Sequence, residues 1–233
     1  MKIKYLAAFT IAVSIISCEN DDVPSTTLPS GDFLNGILVS NEGPFNNGTG
    51  TVSFISNDLE NVENTIYNKV NEADLGNIVQ SIGFSENTAY VIANVSNKIT
   101  VVNRFTFEKE AEITDGLDNP RYFVAANGKG YVTNWGDSGD ETDDYVAIVN
   151  LETNKVEGSI PVVLGPEEIG VSGDKIYIAH QGAFGQNDKV SVISTNKEEV
   201  ITTITVGDVP NSMQFDVEGN LWVLCGGKPS FSG

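Results

Sequence analysis

Tyr145-Val-Ala-Ile-Val-Asn150 is one of four copies of a six-residue pattern, and this repetition decides the fold. Each copy is apolar at its second, fourth and fifth positions and ends in Asn or Ser. The other copies are Thr51-Val-Ser-Phe-Ile-Ser56, Lys98-Ile-Thr-Val-Val-Asn103 and Lys189-Val-Ser-Val-Ile-Ser194. The copies begin 47, 47 and 44 residues apart. A period of roughly 40 to 50 residues indicates like units that stack and share a core.

A second apolar segment recurs in step with the first. Its five copies are Gly36–Ser40, Ala89–Ala93, Gly130–Asn134, Lys175–Ala179 and Asn220–Leu224. All these segments are short, rich in Val, Ile, Tyr and Thr, and bounded by Gly, Asn, Asp and Pro, which is typical of strands and turns. No stretch after Ser30 has a helical period, so we expect no helix there.

The third unit shows how four strands fit into one period. The pattern predicts strands at Arg121–Ala126, Gly130–Asn134, Tyr145–Asn150 and Lys155–Val163. A four-stranded antiparallel meander repeated at this period is a blade, and blades repeated around an axis form a propeller. The sequence therefore predicts an all-β fold, a β-propeller of four-stranded antiparallel blades with about four blades present.

The N-terminus has the features of a secretion signal. Lys2 and Lys4 precede a mostly apolar run from Leu6 to Ile16, which is too short for the ~20 residues of a membrane-spanning helix. The run ends in Ile15-Ile16-Ser17-Cys18, which resembles the lipobox of Gram-negative lipoproteins. The resemblance implies a signal peptide at residues 1–17 and a lipid on Cys18. It also implies a lipid-anchored tether at residues 18–30 before a propeller domain at 31–233.

The tether begins with an acidic cluster, Glu19-Asn-Asp-Asp22. This cluster resembles the signal that directs some lipoproteins to the outer face of the outer membrane, so we expect a protein that faces the cell exterior. A solvated tether that carries no such signal is the alternative. In both cases the membrane is contacted through the lipid alone, because the Pro-, Ser- and Thr-rich tract is too polar to fold.

The charge of the chain argues against nucleic acid as a partner. The 13 Lys and Arg residues stand against 32 Asp and Glu residues, and removal of Lys2 and Lys4 with the signal peptide takes the formal net charge from −19 to −21. Nucleic-acid binding needs clustered basic residues that neutralise phosphates. Acidity of this size favours solubility, and it also attracts cations or basic ligands.

Several motifs resemble known propeller families. Tyr131-Val-Thr-Asn134 spells the tetrapeptide that names the YVTN family of propeller repeats, and Asp208-Val-Pro-Asn211 is similar to the start of that family's innermost strand. Val39-Ser-Asn-Glu-Gly43 followed by Asn46-Asn-Gly-Thr-Gly50 resembles the opening of surface propeller lipoproteins. Some of those lipoproteins capture corrinoids for an outer-membrane transporter. The resemblance thus implies a small-molecule ligand, with a corrinoid or another bulky cofactor first, and such a transporter as partner.

The number of blades has two interpretations. We count 17 strands, which start at the second strand of one blade and stop at the second strand of another. The resemblance implies seven blades, which would make the chain a fragment that lacks 11 strands at its C-terminal side. A closed ring of four blades is the alternative, and one surplus strand counts against it.

The meander places the long loops on one face, together with the connections between blades. Long irregular loops on a rigid scaffold are where recognition usually occurs. We therefore predict a ligand site on this face, formed by aromatic, amide and charged side chains: Asn41, Phe45, Arg121, Asn134, Trp135, Glu168, His180, Phe184 and Asn211. Blade-to-blade packing of Trp135 and Phe184, a structural salt bridge at Arg121 and a strand cap at Asn134 are the alternatives.

Catalytic and metal chemistry find little support in the sequence. His180 is the single His, so a His cluster for zinc or copper is excluded, and there is no Gly-x-Ser-x-Gly motif. Asp137–Asp144 holds five carboxylates, but their spacing does not match a calcium loop, and we expect a solvated acidic loop. We expect no cofactor, no metal and no catalytic residue. A propeller enzyme of the lactonase or quinoprotein dehydrogenase type, or an adhesion or surface-layer protein, is the alternative function.

Overall fold

The protein is an all-β propeller built from antiparallel sheets that succeed one another along the chain. The computed structural model describes residues 29–45, 48–137 and 139–228. Cys18, the predicted signal peptide and most of the predicted tether lie outside these residues. Within the described ranges, no helix is long and apolar enough to cross a membrane.

Five sheets follow in sequence order, and we number them blades 1 to 5. Blade 1 contains β1 (Gly36–Asn41), β2 (Thr51–Ser56) and β3 (Val62–Glu63), followed by α1 (Ile66–Asn71). Blade 2 contains β4 (Val79–Ser85), β5 (Thr88–Ala93), β6 (Lys98–Asn103) and β7 (Lys109–Ile113). Blade 3 contains β8 (Pro120–Ala126), β9 (Lys129–Asn134), β10 (Tyr145–Asn150) and β11 (Lys155–Pro161). Blade 4 contains β12 (Pro166–Ser172), β13 (Lys175–His180), β14 (Lys189–Ser194) and β15 (Glu199–Thr205), and blade 5 contains β16 (Pro210–Phe215) and β17 (Leu221–Cys225).

The predicted strands are confirmed, and the four copies of the first pattern have the predicted bounds as β2, β6, β10 and β14. The expectation of no helix after Ser30 is wrong at one place, because α1 occupies residues 66–71. The helix has no side-chain cap at its N-terminus, and Ile66 and Tyr67 are buried. Tertiary burial therefore stabilises this helix, because an isolated six-residue segment is too short to form a stable helix.

Apolar cores lie between successive blades rather than in one centre. Tyr90 of blade 2 stacks on Phe123 of blade 3, with ring centroids 4.2 Å apart. Between blades 3 and 4, Tyr131 and Ile148 pack with Ile178 in one buried cluster. Each fully buried aliphatic or aromatic side chain stabilises the fold by roughly 1.5–3 kcal/mol, so the stacking of blades carries much of the stability.

Strands β4, β8, β12 and β16 are the inner strands, and each contacts the next. Polar contacts join them at one end: the Ser81 hydroxyl donates to the Arg121 carbonyl at 2.6 Å, and the Met213 amide donates to the Glu168 carboxylate at 2.9 Å. We name the end of the propeller that carries these contacts the loop face. It is formed by loops 42–50, 135–144 and 181–188 and by connections 114–119, 162–165 and 206–209. The opposite end, with turns such as 127–128, 151–154, 173–174 and 195–198, is the turn face.

Candidate functional site

Three predicted site residues lie together on the loop face between blades 3 and 4, where Trp135 contacts both Arg121 and Phe184. The guanidinium carbon of Arg121 lies 3.9 Å from the Trp135 ring centroid. The rings of Trp135 and Phe184 meet edge to face, with centroids 5.9 Å apart. Both arrangements are electrostatically favourable for aromatic rings. We name these three residues the aromatic stack.

Trp135 at the base of the aromatic stack is fixed by hydrogen bonds, and Phe184 at its tip is exposed. Trp135 follows β9 directly, and its indole Nε1 donates to the Pro166 carbonyl at 3.0 Å. Its backbone amide donates to the Asn119 carbonyl at 3.2 Å, and the residue is only 7% exposed. Phe184 lies on loop 181–188 and is 80% exposed. The stack therefore presents one apolar ring to solvent from a rigid support.

Arg121 is also held by a buried carboxylate of the next blade. Its Nε and Nη2 donate to Oε2 and Oε1 of Glu167, at 3.0 and 2.8 Å. The two side chains are only 11% and 6% exposed. Burial raises the pKa of Glu167, while the neighbouring guanidinium opposes that rise. A paired geometry of this kind is strong because both hydrogen bonds are charge-assisted.

Glu167 was not predicted from the sequence, which placed Glu168 in the loop-face site instead. The register of β12 against β13 shifts between Pro166 and Ile169, so a bulge places both glutamates opposite Ala179. Glu167 then reaches Arg121, and Glu168 accepts the backbone bond from β16. The dipeptides Pro120-Arg121 and Pro166-Glu167 start equivalent strands with opposite charges, and that signal predicts a pair between neighbouring blades.

Asn134 and His180 end equivalent strands and are both buried. The Asn134 amide donates to the Val132 carbonyl at 2.9 Å, and its oxygen accepts from the Asp118 amide at 3.0 Å. The His180 Nε2 lies 2.8 Å from the Ser191 hydroxyl. Burial lowers the pKa of His180 to about 4, against the opposing backbone carbonyls of Val163 and Leu164. A neutral imidazole therefore fills this position, inside the blade rather than on its surface.

The remaining predicted site residues lie on other blades. Asn41 ends β1 and donates to the Ser53 hydroxyl at 3.1 Å. Phe45 is 67% exposed on loop 42–50, where its carbonyl accepts from the Asn77 amide at 2.9 Å. Asn211 is exposed near the start of β16. These three residues share the loop face with the aromatic stack but sit on blades 1 and 5.

The acidic loop 137–144 differs at one residue from the expected solvated loop. Asp144 is 1% exposed, and its Oδ1 accepts from the Gly165 amide at 2.8 Å. Its Oδ2 is buried and has no hydrogen-bond partner among the described residues. Burial raises the pKa of Asp144 to about 6, and nearby Asp143 and Asp140 add to that rise. Across residues 29–45, 48–137 and 139–228, no group of three or more His, Cys, Asp or Glu side chains could hold a metal ion.

A polar hollow of about 320 Å³ opens on the loop face beside the loop that carries Phe184. It is lined by Gln186, Asn187, Asp188, Asp208 and Lys228. The Asn187 amide donates to the Leu164 carbonyl at 2.8 Å, which fixes one wall to the connection between blades 3 and 4. An exposed ring next to a polar hollow can orient a large ligand that has both apolar and hydrogen-bonding surfaces.

Solved structures with the same architecture share little sequence with this chain. Hydrazine synthase of Kuenenia stuttgartiensis matches with a TM-score of 0.58 and 15% identity, over 84% of this chain and 56% of that one. A protein of unknown function from Bacteroides caccae matches with a TM-score of 0.55 and 13% identity, over 81% and 64%. The dihydro-heme d1 dehydrogenase NirN matches with a TM-score of 0.51 and 10% identity, over 73% and 37%. This chain thus spans less than two thirds of each of these proteins, and the likeness shows the fold alone.

No curated protein matches the chain. A protein family does match, and it covers residues 35–228, from the residue before β1 to beyond β17. The match includes every strand of the five blades and all three residues of the aromatic stack. The chain belongs to the family described as Domain of unknown function (DUF5074).

Proposed function

We propose that this protein is a lipid-anchored propeller that binds a bulky ligand on its loop face and delivers it to an outer-membrane transporter. The observation that carries the proposal is the aromatic stack, in which a largely exposed Phe184 rests on a fixed Trp135. A solvent-exposed aromatic ring on a preorganised base costs little conformational entropy on binding.

Blade packing alone does not account for Phe184. Trp135 is buried, the Arg121 side chain is mostly buried, and both join neighbouring blades, so their contacts stabilise the propeller with or without a ligand. Phe184 adds a ring to this base and leaves most of its surface in water, at 80% exposure. Exposed aromatic residues beside fixed polar groups are typical anchors of binding sites, where truncation of one costs ~2 kcal/mol or more of affinity.

The proposed ligand class rests on the chemistry of this site and on the resemblance to surface propeller lipoproteins. The stack offers a flat apolar contact, and the neighbouring hollow offers amide and carboxylate groups such as those of Asn187 and Asp188. A corrinoid has the matching features, a wide ring system rimmed with amides, and is the first ligand to test. Heme is a second probe of similar size, because one protein of similar fold is the dihydro-heme d1 dehydrogenase NirN.

The anchor is the second element of the proposal. Cys18 ends a short apolar run and would carry the lipid, so that the tether holds the propeller at the outer membrane with the loop face free to meet a transporter. Cys18→Ala should give an unprocessed or soluble protein in cell fractionation. Normal maturation and membrane partitioning of that variant would contradict the anchor.

The binding test compares two exposed phenylalanines on opposite faces. Phe184→Ala should weaken cobalamin binding about 10-fold or more, because it removes the exposed anchor of the stack. Phe84→Ala, at the turn-face end of β4 where Phe84 is 45% exposed, is the matched control and should leave the affinity unchanged. Isothermal titration of the full chain measures both, with heme in parallel.

Each result of that titration has a distinct meaning. Binding that Phe184→Ala weakens and Phe84→Ala does not supports the site and the ligand class. Equal binding by both variants would place the site away from the stack. Absence of binding to cobalamin and to heme would remove the proposed ligand class and favour the enzyme or adhesion alternatives.

A further inference from the structure

The connection between blades 3 and 4, residues 162–165, is held by two hydrogen bonds to one buried residue, Asp144. The backbone carbonyl of Asp144 accepts from the Val162 amide at 3.1 Å, and its side-chain Oδ1 accepts from the Gly165 amide at 2.8 Å. These two bonds hold both ends of the connection to the residue just before β10. Asp144 is 1% exposed, so solvent does not share in either bond.

This connection leads directly to the aromatic stack. Pro166, the next residue, accepts the indole bond of Trp135, and Glu167 follows with the carboxylate that pairs with Arg121. Gly165 also packs against loop 181–188, where its carbonyl accepts from the Gly182 amide at 3.4 Å. A Cβ at Gly165 would lie 2.1 Å from the Ala183 nitrogen. Movement of Gly165 would therefore disturb the supports of all three residues in the stack.

The carboxyl group that pins the connection is poorly suited to carry a charge. Its Oδ2 is buried without a donor among the described residues. The charged groups that face it are Asp143 and Asp140 of its own loop, and both are negative. On the other side of the connection, His180 of β13 lies near the carbonyls of Val163 and Leu164, and its pKa of about 4 leaves it neutral above pH 5.

We propose that Asp144 is a proton-operated latch: the neutral carboxyl stays buried and holds the connection and the stack in place, whereas the ionised carboxylate turns to solvent and releases them. The consequence for ligand binding rests on the proposed function, but the latch itself does not. A site of this kind would hold its ligand at mildly acidic pH and release it as the pH rises.

The change in ligand affinity that the latch can produce has an upper limit. The pKa of Asp144 is about 6 in the buried position, against 3.8 for an ordinary Asp. Two pKa units correspond to a factor of about 100 in the equilibrium between buried and exposed carboxyl groups. The largest change in ligand affinity across the transition is therefore about 100-fold, reached only if the released state does not bind at all.

Trp135 provides a readout of the latch that needs no ligand. The described chain has a second tryptophan, Trp222, which is exposed, so Trp222→Phe leaves Trp135 as the reporter. In this background we expect the indole emission to shift to the red as pH rises from 4.5 to 8, with a midpoint near 6. Asp144→Asn keeps the oxygen that accepts from Gly165 and cannot ionise, so its emission should stay blue throughout.

Asp188→Asn is the matched control for the emission experiment. Asp188 precedes β14 as Asp144 precedes β10, but it is not fully buried and it pairs with Lys189 at 2.5 Å. This variant should keep the transition of the parent protein. A flat emission profile in the parent, or the same transition in Asp144→Asn, would overturn the latch.

Cobalamin titrations at pH 5 and pH 8 then test the latch and the proposed ligand separately. The parent protein should bind more weakly at pH 8, and Asp144→Asn should bind equally at both. If cobalamin does not bind but the emission transition occurs and depends on Asp144, the proposed ligand fails and the latch stands. If cobalamin binds with the same pH dependence in both proteins, the latch is overturned and the binding function stands.

Discussion

Blades 3 and 4 are joined by an ion pair at each end, and the two pairs differ in burial. On the turn face, the ammonium of Lys129 lies 2.7 Å from Glu157 of its own blade and 2.5 Å from Glu198 of blade 4. About a third of each of these side chains is exposed. On the loop face, Arg121 and Glu167 form a two-bond pair that is almost wholly buried beside Trp135. The turn face thus uses a solvated link, and the loop face uses a desolvated one.

This difference shows where a polar link can tolerate change. A solvated ion pair contributes little, because water and salt compete for both charges. A buried pair is costly to form and far more costly to break, because the remaining charge is left without a partner in a medium of low polarity. The loop face is therefore the end at which single substitutions should have large effects, and three comparisons test this.

The largest effect should come from breaking the buried pair. Arg121→Ala leaves the Glu167 carboxylate buried and unpaired, so we expect the free energy of unfolding to fall by about 3–5 kcal/mol in urea titrations. Lys129→Ala on the turn face should leave the urea midpoint nearly unchanged. A double variant, Arg121→Met with Glu167→Leu, should recover most of the loss, because no buried charge remains. Equal losses in Arg121→Ala and Lys129→Ala would show that burial does not distinguish the two faces.

Gly165 on the loop face and Gly173 on the turn face test how closely the loop face is packed, because backbone strain is similar at both positions. Gly165 and Gly173 both have positive φ, at +68° and +60°, but a Cβ at Gly173 on the turn face would meet nothing within 4 Å. Gly173→Ala should cost about 1–2 kcal/mol of stability from the left-handed backbone alone. Gly165→Ala adds a collision with residues 182–183, and such overpacking costs about 1–3 kcal/mol more.

The test is the difference in stability between the two glycine variants. Thermal unfolding should show a clearly lower midpoint for Gly165→Ala than for Gly173→Ala. The emission of Trp135 should change in Gly165→Ala only, because the connection that supports the indole lies next to the collision. Similar midpoints for both variants would mean that loop 181–188 yields easily and that the loop face is less tightly packed than the distances indicate.

The fold could be predicted from the sequence because each unit repeats its apolar spacing. Tyr145–Asn150 and its three counterparts keep the same apolar positions, and both ends of each of these strands were predicted. Helix α1 could not be predicted, since a six-residue segment without a side-chain cap carries no helical signal. Its stability comes from the burial of Ile66 and Tyr67 against other parts of the chain, which only the folded structure displays.

The candidate site could be predicted in part. The alternating strand directions of the meander placed Arg121, Trp135 and Phe184 on one face, and the contacts of Trp135 with the other two follow from the packing of blade 3 on blade 4. The choice between Glu167 and Glu168 depended on a bulge in β12, and only the opposite charges of Arg121 and Glu167 at the starts of equivalent strands point to Glu167. The burial of Asp144 could not be predicted either, because its neighbours in the sequence form an acidic loop.

The smallest of the three effects concerns pH and contrasts two aspartates on opposite faces. Asp144 on the loop face has its pKa raised to about 6 by burial, whereas hydrogen bonds from Trp222 and Asn220 lower the pKa of Asp216 on the turn face to about 2. Both carboxyl groups have an ordinary pKa of 3.8 in the unfolded chain. The two groups should therefore change the stability with pH in opposite directions.

Between pH 4 and pH 6 the native protein holds a proton on Asp144 that the unfolded chain has lost, so the contribution of Asp144 to stability declines as the pH rises through this window. The contribution of Asp216 is present above pH 4 and is lost as the pH falls from 4 towards 2. Urea unfolding at a series of pH values should show that Asp144→Asn gains stability over the parent as the pH rises from 4 to 6. Asp216→Asn should be less stable than the parent at pH 5 and converge with it near pH 2. Parallel curves for Asp144→Asn and the parent across that window would mean that Asp144 is ionised and solvated in the native protein, and the two faces would then not differ in how they hold charge.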